Sequence, residues 1–180
     1  MRAWVVLALF FIRVSSAAQQ DEPYRSLIQQ ALDERSLCLG ETTWPVTSRA
    51  GTEPWLNARM EALVDAGLVV THQEGHQKVW TLSHKGRAEY HRHHDFCYGR
   101  MRVGTIREIH SQRDGVQVTF TYALSALPEW AKNASLRMAD TELDNLISGN
   151  KNVRYQAFFT RDAHGKLRLT RSPEPLDLLY

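Results

Sequence analysis

The sequence predicts an α+β protein: helices around one β-hairpin in the first half, then a small antiparallel sheet with a helical insertion. Three observations carry this. Tyr24, Leu27, Ile28, Ala31 and Leu32 recur at helical spacing, as do Leu56, Met60, Leu63 and Val64, the stripe of a helix that buries one side. Val116, Val118, Phe120, Tyr122 and Leu124 alternate with Gln117, Thr119, Thr121 and Ala123, the period-two pattern of a half-buried strand. Arg113-Asp114-Gly115 joins that strand to an extended run upstream, and Asp-Gly is a strong hairpin signal. With 180 residues, 43% apolar and 23% charged, the chain has ordinary globular composition, which excludes a collagen, a disulfide-dense mini-protein and a disordered tail.

The first segment is read as a targeting signal. Met1-Arg2 precedes the apolar run Ala3 to Ile12, then Arg13 and the small residues Ser15-Ser16-Ala17-Ala18. That is the layout of a secretory signal peptide over residues 1–18, with cleavage after Ala17 or Ala18. The run is short of the roughly 20 residues a spanning helix needs, which argues against a membrane anchor, and no other segment approaches that length, so no membrane span is expected in the mature chain. Arg2 and Arg13 are its only charges, and removing them from 22 basic and 20 acidic residues leaves the two signs balanced at 20 each. A balanced chain lacks the broad positive field that selects phosphate backbones.

After the signal, a helix is expected from Glu22 to Arg35, with Asp21 as cap and Pro23 in its first turn, where a missing N–H is harmless. Residues 36–51 hold Gly40, Pro45 and Gly51 with little periodicity and read as a loop with at most a short extended piece. Thr52 is the expected cap of a second helix, with Glu53 and Pro54 in its first turn and Gly67 at its end. Leu68 to His72 and Lys78 to Leu82 read as a hairpin turning at Glu74-Gly75-His76. Ser83 can cap a third helix from Lys85 to about His93. Arg100 to Gln112 is the partner of the alternating strand. Pro128 to Lys132 leaves the sheet, Asp140 to Ile147 is a short helix, and Val153 to Arg161 with Lys166 to Arg171 forms a second hairpin. Ser172-Pro173-Glu174-Pro175 reads as an extended arm.

The run Ala62-Leu63-Val64-Asp65-Ala66-Gly67-Leu68-Val69, followed by Val79-Trp80-Thr81-Leu82-Ser83-His84-Lys85-Gly86-Arg87, resembles the end of a winged-helix domain: a helix closing in an Ala-Gly-Leu-Val turn, a hairpin wing, and the start of another helix. The resemblance spans about residues 22–93 and concerns the fold. It implies a winged-helix-like domain over 19–96, leaving 97–180 as the β-rich domain. Winged helices usually read DNA with the helix before the wing. Here that helix carries Glu53, Glu61 and Asp65 against Arg59 alone, and carboxylates facing phosphates oppose docking, so no nucleic-acid partner is expected.

Cys38 and Cys97 are the two cysteines, and an even pair in an exported chain is most simply one disulfide. The competing use is a Cys-His metal site, because Cys97 follows His91-Arg92-His93-His94-Asp95-Phe96. No CxxC or HExxH accompanies it, and a disulfide would remove the thiolate, so no metal and no other cofactor is expected. No Gly-x-Ser-x-Gly elbow occurs, and no catalytic residue is assigned. The binding candidates are Trp130, expected to be exposed where the chain leaves the sheet, together with Trp44, His91 and His94. Asn133-Ala134-Ser135 fits a glycosylation sequon. The expected function is an exported, periplasmic or secreted, non-catalytic binding module that engages a protein or a cell-envelope component in a self-protection, inhibitor or assembly role. A small envelope hydrolase is the first alternative and a winged-helix regulator the second. The sequence does not indicate an oligomeric state.

Overall fold

The computed structural model describes residues 17–41, 43–49 and 51–176. The predicted signal peptide lies outside the described residues except for Ala17 and Ala18, which begin the first helix. The chain is α+β, with two antiparallel sheets. The smaller has the order β1-β3-β2, from β1 (Val46–Arg49), β2 (Val69–Glu74) and β3 (Gln77–Leu82). The larger has the order β4-β5-β6-β7, from β4 (Arg100–Gln112), β5 (Gly115–Ser125), β6 (Arg154–Arg161) and β7 (Leu167–Leu169). The short β8 (Glu174–Pro175) also pairs with β6.

Helix α1 (Ala17–Asp33) starts earlier than predicted. Ala17-Ala18-Gln19-Gln20 are good helix formers that extend it upstream, so Asp21 does not cap it and Pro23 lies inside, where it removes one intrahelical bond. The helix contacts both outer strands, β4 and β7. Along β4 it supplies what a neighbouring strand would. Arg25 Nη1 donates to the Val103 and Gly104 carbonyls at 3.2 and 2.8 Å, and Gln29 donates to the Met101 carbonyl and accepts from Val103 N–H. The open edge of the sheet is thereby covered.

Helix α2 (Pro54–Asp65) is preceded by Glu53 in left-handed conformation. Thr52 does not cap it, because its hydroxyl donates to the Arg49 carbonyl at 2.8 Å. Proline fits the first helical position since its fixed φ suits the helix. The helix closes with Leu68 N–H on the Leu63 carbonyl and Gly67 N–H on the Val64 carbonyl, at 3.0 and 2.8 Å, the Schellman pattern. Glu61 fastens it to β3, accepting from Trp80 Nε1 at 3.0 Å and pairing with Lys78 at 2.6 Å. Helix α3 (His84–Tyr90) is capped as predicted, Ser83 Oγ accepting from Gly86 N–H at 2.9 Å. It ends before His93, and the chain continues as turns to His94.

The β4–β5 hairpin has the two-residue loop Arg113-Asp114, with Gln112 paired to Gly115. Val118, Phe120 and Tyr122 lie on the apolar side and are buried. Thr119 and Thr121 on the other side are buried too, which corrects the half-buried reading of this strand. β5 is central, flanked by β4 and β6, and side chains bonded across the strands, Gln117 to Gln156 and Gln156 to Glu174, lie over that face.

The helical insertion is larger than predicted: a 3-10 turn (Glu129–Lys132), α4 (Ala134–Ala139) and α5 (Thr141–Ser148). Asn133 caps α4 by accepting from Leu136 N–H at 3.1 Å, and its amide donates to the Asp65 carbonyl, tying α4 to the end of α2. Asp140 caps α5. The expected terminal arm folds back as β8 because Glu174 pairs with Gln156 and Pro175 with Tyr155. One continuous apolar cluster joins Ile28, Leu63, Trp80, Phe96, Phe120 and Leu143.

Candidate functional site

The seam between the two sheets is built from two short stretches, 37–41 and 95–98. Leu39 N–H donates to the Phe96 carbonyl at 3.1 Å and Tyr98 N–H to the Leu37 carbonyl at 2.7 Å. Between these rungs Cys38 and Cys97 form a bridge in the backbone pairing and a disulfide, with an S–S distance of 2.05 Å. The predicted disulfide is present, and there are no free cysteines among the described residues. Asp95 locks the seam by accepting from the N–H groups of Gly40, Glu41 and Phe96 at 3.0, 3.1 and 2.6 Å.

A charged cluster braces the same stretch. Arg59 of α2 donates to the Leu39 carbonyl, pairs with Glu41 at 2.6 Å and lies 3.8 Å from Asp140. Burial pushes the Glu41 carboxyl above its ordinary value; Arg59 pulls it back, and Asp95 and Asp140 push it further up. Burial also pushes the hydroxyl pKa of Tyr98, Tyr122 and Tyr155 up, so these phenols stay protonated.

Two small pockets of about 180 and 120 Å³ adjoin the disulfide, and both are lined by His93, Cys97, Gly99 and Arg100. The first adds Arg92 and Glu89, the second Arg35 and Asp33. Gly99 is required at their shared wall. Its φ is +106°, and a Cβ there would meet the Ser125 carbonyl oxygen at 2.6 Å, a position that only glycine tolerates. Arg92 pairs with Glu89 at 3.0 Å, Arg35 with Glu142 at 2.8 Å, and Asp33 with Arg102 at 3.2 Å. Among the described residues, the side chains of Arg100 and His93 make no hydrogen bond or ion pair. The lining therefore has cationic capacity to spare, which suits an anionic group.

A larger open groove of about 800 Å³ runs between α1 and β4. Its Arg25, Gln29 and Asp33 are committed to β4 backbone and to Arg102, which makes it a packing seam.

The structure distributes the predicted binding residues differently. Trp130 is only 3% exposed, contrary to expectation. The 3-10 turn folds it inward, where its ring meets Phe96 edge-on at 6.0 Å. Trp44 is half-buried and also meets Phe96 edge-on at 6.0 Å. Neither indole N–H has a hydrogen-bond partner among the described residues. His91 is exposed at the end of α3, and His94 packs edge-on against Tyr90 at 6.1 Å. Neither lines the two pockets; His93 does. From the sequence Arg100 reads only as the first residue of a strand, although it lies close after the histidine turn. Trp55 and Met138 are 87% and 86% exposed, and helical spacing alone did not mark either.

Among the described residues, no group of three or more His, Cys, Asp or Glu is placed to hold a metal ion. No described helix is long and apolar enough to cross a membrane. Comparisons of the chain with protein-family models, curated proteins and solved structures find no match.

Proposed function

We propose that this protein is an exported, non-catalytic binding module that engages a protein or cell-envelope component through the junction around Cys38–Cys97. The observation that carries this reading is the pair of adjacent pockets at the bridge that share Arg100 and His93, whose side chains have no partner among the described residues. The bridge supports export, because disulfides form and persist mainly in oxidising compartments. The apolar leader Ala3 to Ile12 supports it from the sequence side. Self-protection, inhibitor and assembly roles all fit such a module.

Site-specific photo-crosslinking in the producing cells tests the reading. A photoreactive residue at Arg92, on the pocket rim, is expected to give a discrete conjugate with an envelope-fraction component. The same residue at Ala163, in the exposed β6–β7 turn, is expected to give none. Equal conjugates from both positions, or none from position 92, would overturn it.

A further inference from the structure

We infer that the group taken at this junction is a carboxylate of an acidic peptide segment, held between the Arg100 guanidinium and His93. This rests on the binding-module reading and specifies its ligand.

Pocket size argues first. Volumes of about 180 and 120 Å³ fall below the roughly 300–1,000 Å³ of small-molecule and cofactor sites, so each pocket suits one side chain. The pockets share four lining residues and are therefore adjacent. Residues i and i+2 of an extended chain point to the same side about 6.6 Å apart, which lets one peptide strand fill both. The second argument is charge. Arg92, Arg35 and Asp33 already have partners of opposite sign, which leaves Arg100 and His93 as the groups that gain from an incoming anion.

A guanidinium fork matches a carboxylate bidentately and also accepts phosphate. Glu89, Asp33 and Glu142 border the pockets or their arginines. They would repel an anionic lipid surface, which attracts polybasic patches rather than balanced ones. A single carboxylate beside Arg100 meets less of this repulsion.

The test uses the purified, oxidised protein and a short blocked Ser-rich peptide carrying one Glu, titrated by NMR. Expected are shifts at Gly99, Arg100 and Ala126, weakened by salt and absent with the Gln-for-Glu peptide. Arg100→Ala is expected to weaken binding by about tenfold or more, the factor that corresponds to about 1.4 kcal/mol, near the value of one charge-assisted hydrogen bond. Arg100→Lys should recover part of it, and His93→Ala should cost less. All three should keep the parent's thermal midpoint. Equal binding by Arg100→Ala, or equal binding of the Gln peptide, would overturn the inference. So would Arg100-dependent sedimentation with phosphatidylglycerol vesicles when the peptide fails to bind. If the peptide fails while crosslinking from position 92 persists, the ligand class is wrong and the module reading stands. If crosslinking fails as well, both fall.

Discussion

Arg59 serves three acceptors at once: the Leu39 carbonyl, Glu41 and Asp140. Its removal would leave partly buried acceptors unpaired, so Arg59→Met is expected to cost about 2 kcal/mol in urea unfolding at neutral pH. The pH dependence has a definite sign. Glu41 titrates above its ordinary value in the folded chain, so the stability linked to its proton is present at low pH and lost as pH rises through the folded value. Without Arg59 that value climbs further, and the deficit of the variant should shrink as pH falls through the Glu41 titration. A deficit that stays constant with pH would contradict the assignment. At this scale the sequence was partly legible. The Cys38–Cys97 pair follows from the cysteine count and the export expected from the leader. The exposure of individual tryptophans does not, because Trp130 and Trp55 differ in what packs over them and not in local pattern. Arg100 and His93 are close in the sequence, but no local pattern marks them as lining the same pockets.

Elements with strong local chemistry were readable in advance. Ser83 caps α3, and Arg113-Asp114 turns the long hairpin. Helix α4 was missed because Asn133 matched a sequon as well as a cap, and the short run after it shows little periodicity. The upstream start of α1 was missed because Asp21 and Pro23 are good start signals that the flanking alanines and glutamines override. Gly86 gives the sharpest test at this scale. A Cβ there would stand 1.8 Å from the Leu68 carbonyl oxygen, and backbone on both sides cannot yield cheaply. Gly86→Ala is expected to cost about 3 kcal/mol or more, read as a large drop in thermal midpoint. Gly165→Ala, with nothing within 4 Å of its Cβ, supplies the comparison and should cost less. A Gly86→Ala protein as stable as the parent would contradict the packing of α3 on Leu68.

For the whole molecule, the bridge closes a loop with a sequence separation of 59. In the chain-entropy model that closure contributes about 4 kcal/mol against the unfolded chain, and it fixes the two stretches that frame the pockets. The α+β class was legible because both periodicities are long and regular. The way α1 covers the β4 edge was not, since Arg25 and Gln29 read as ordinary solvent-facing residues of a helix. An exported module held together by this bridge can be tested directly by unreduced intact-mass spectrometry, after thiol alkylation, on protein recovered from its producing cells. The account predicts a chain beginning at Ala18 or Gln19 with no alkylated cysteine. A chain that keeps Met1 and carries two alkylated thiols would contradict it.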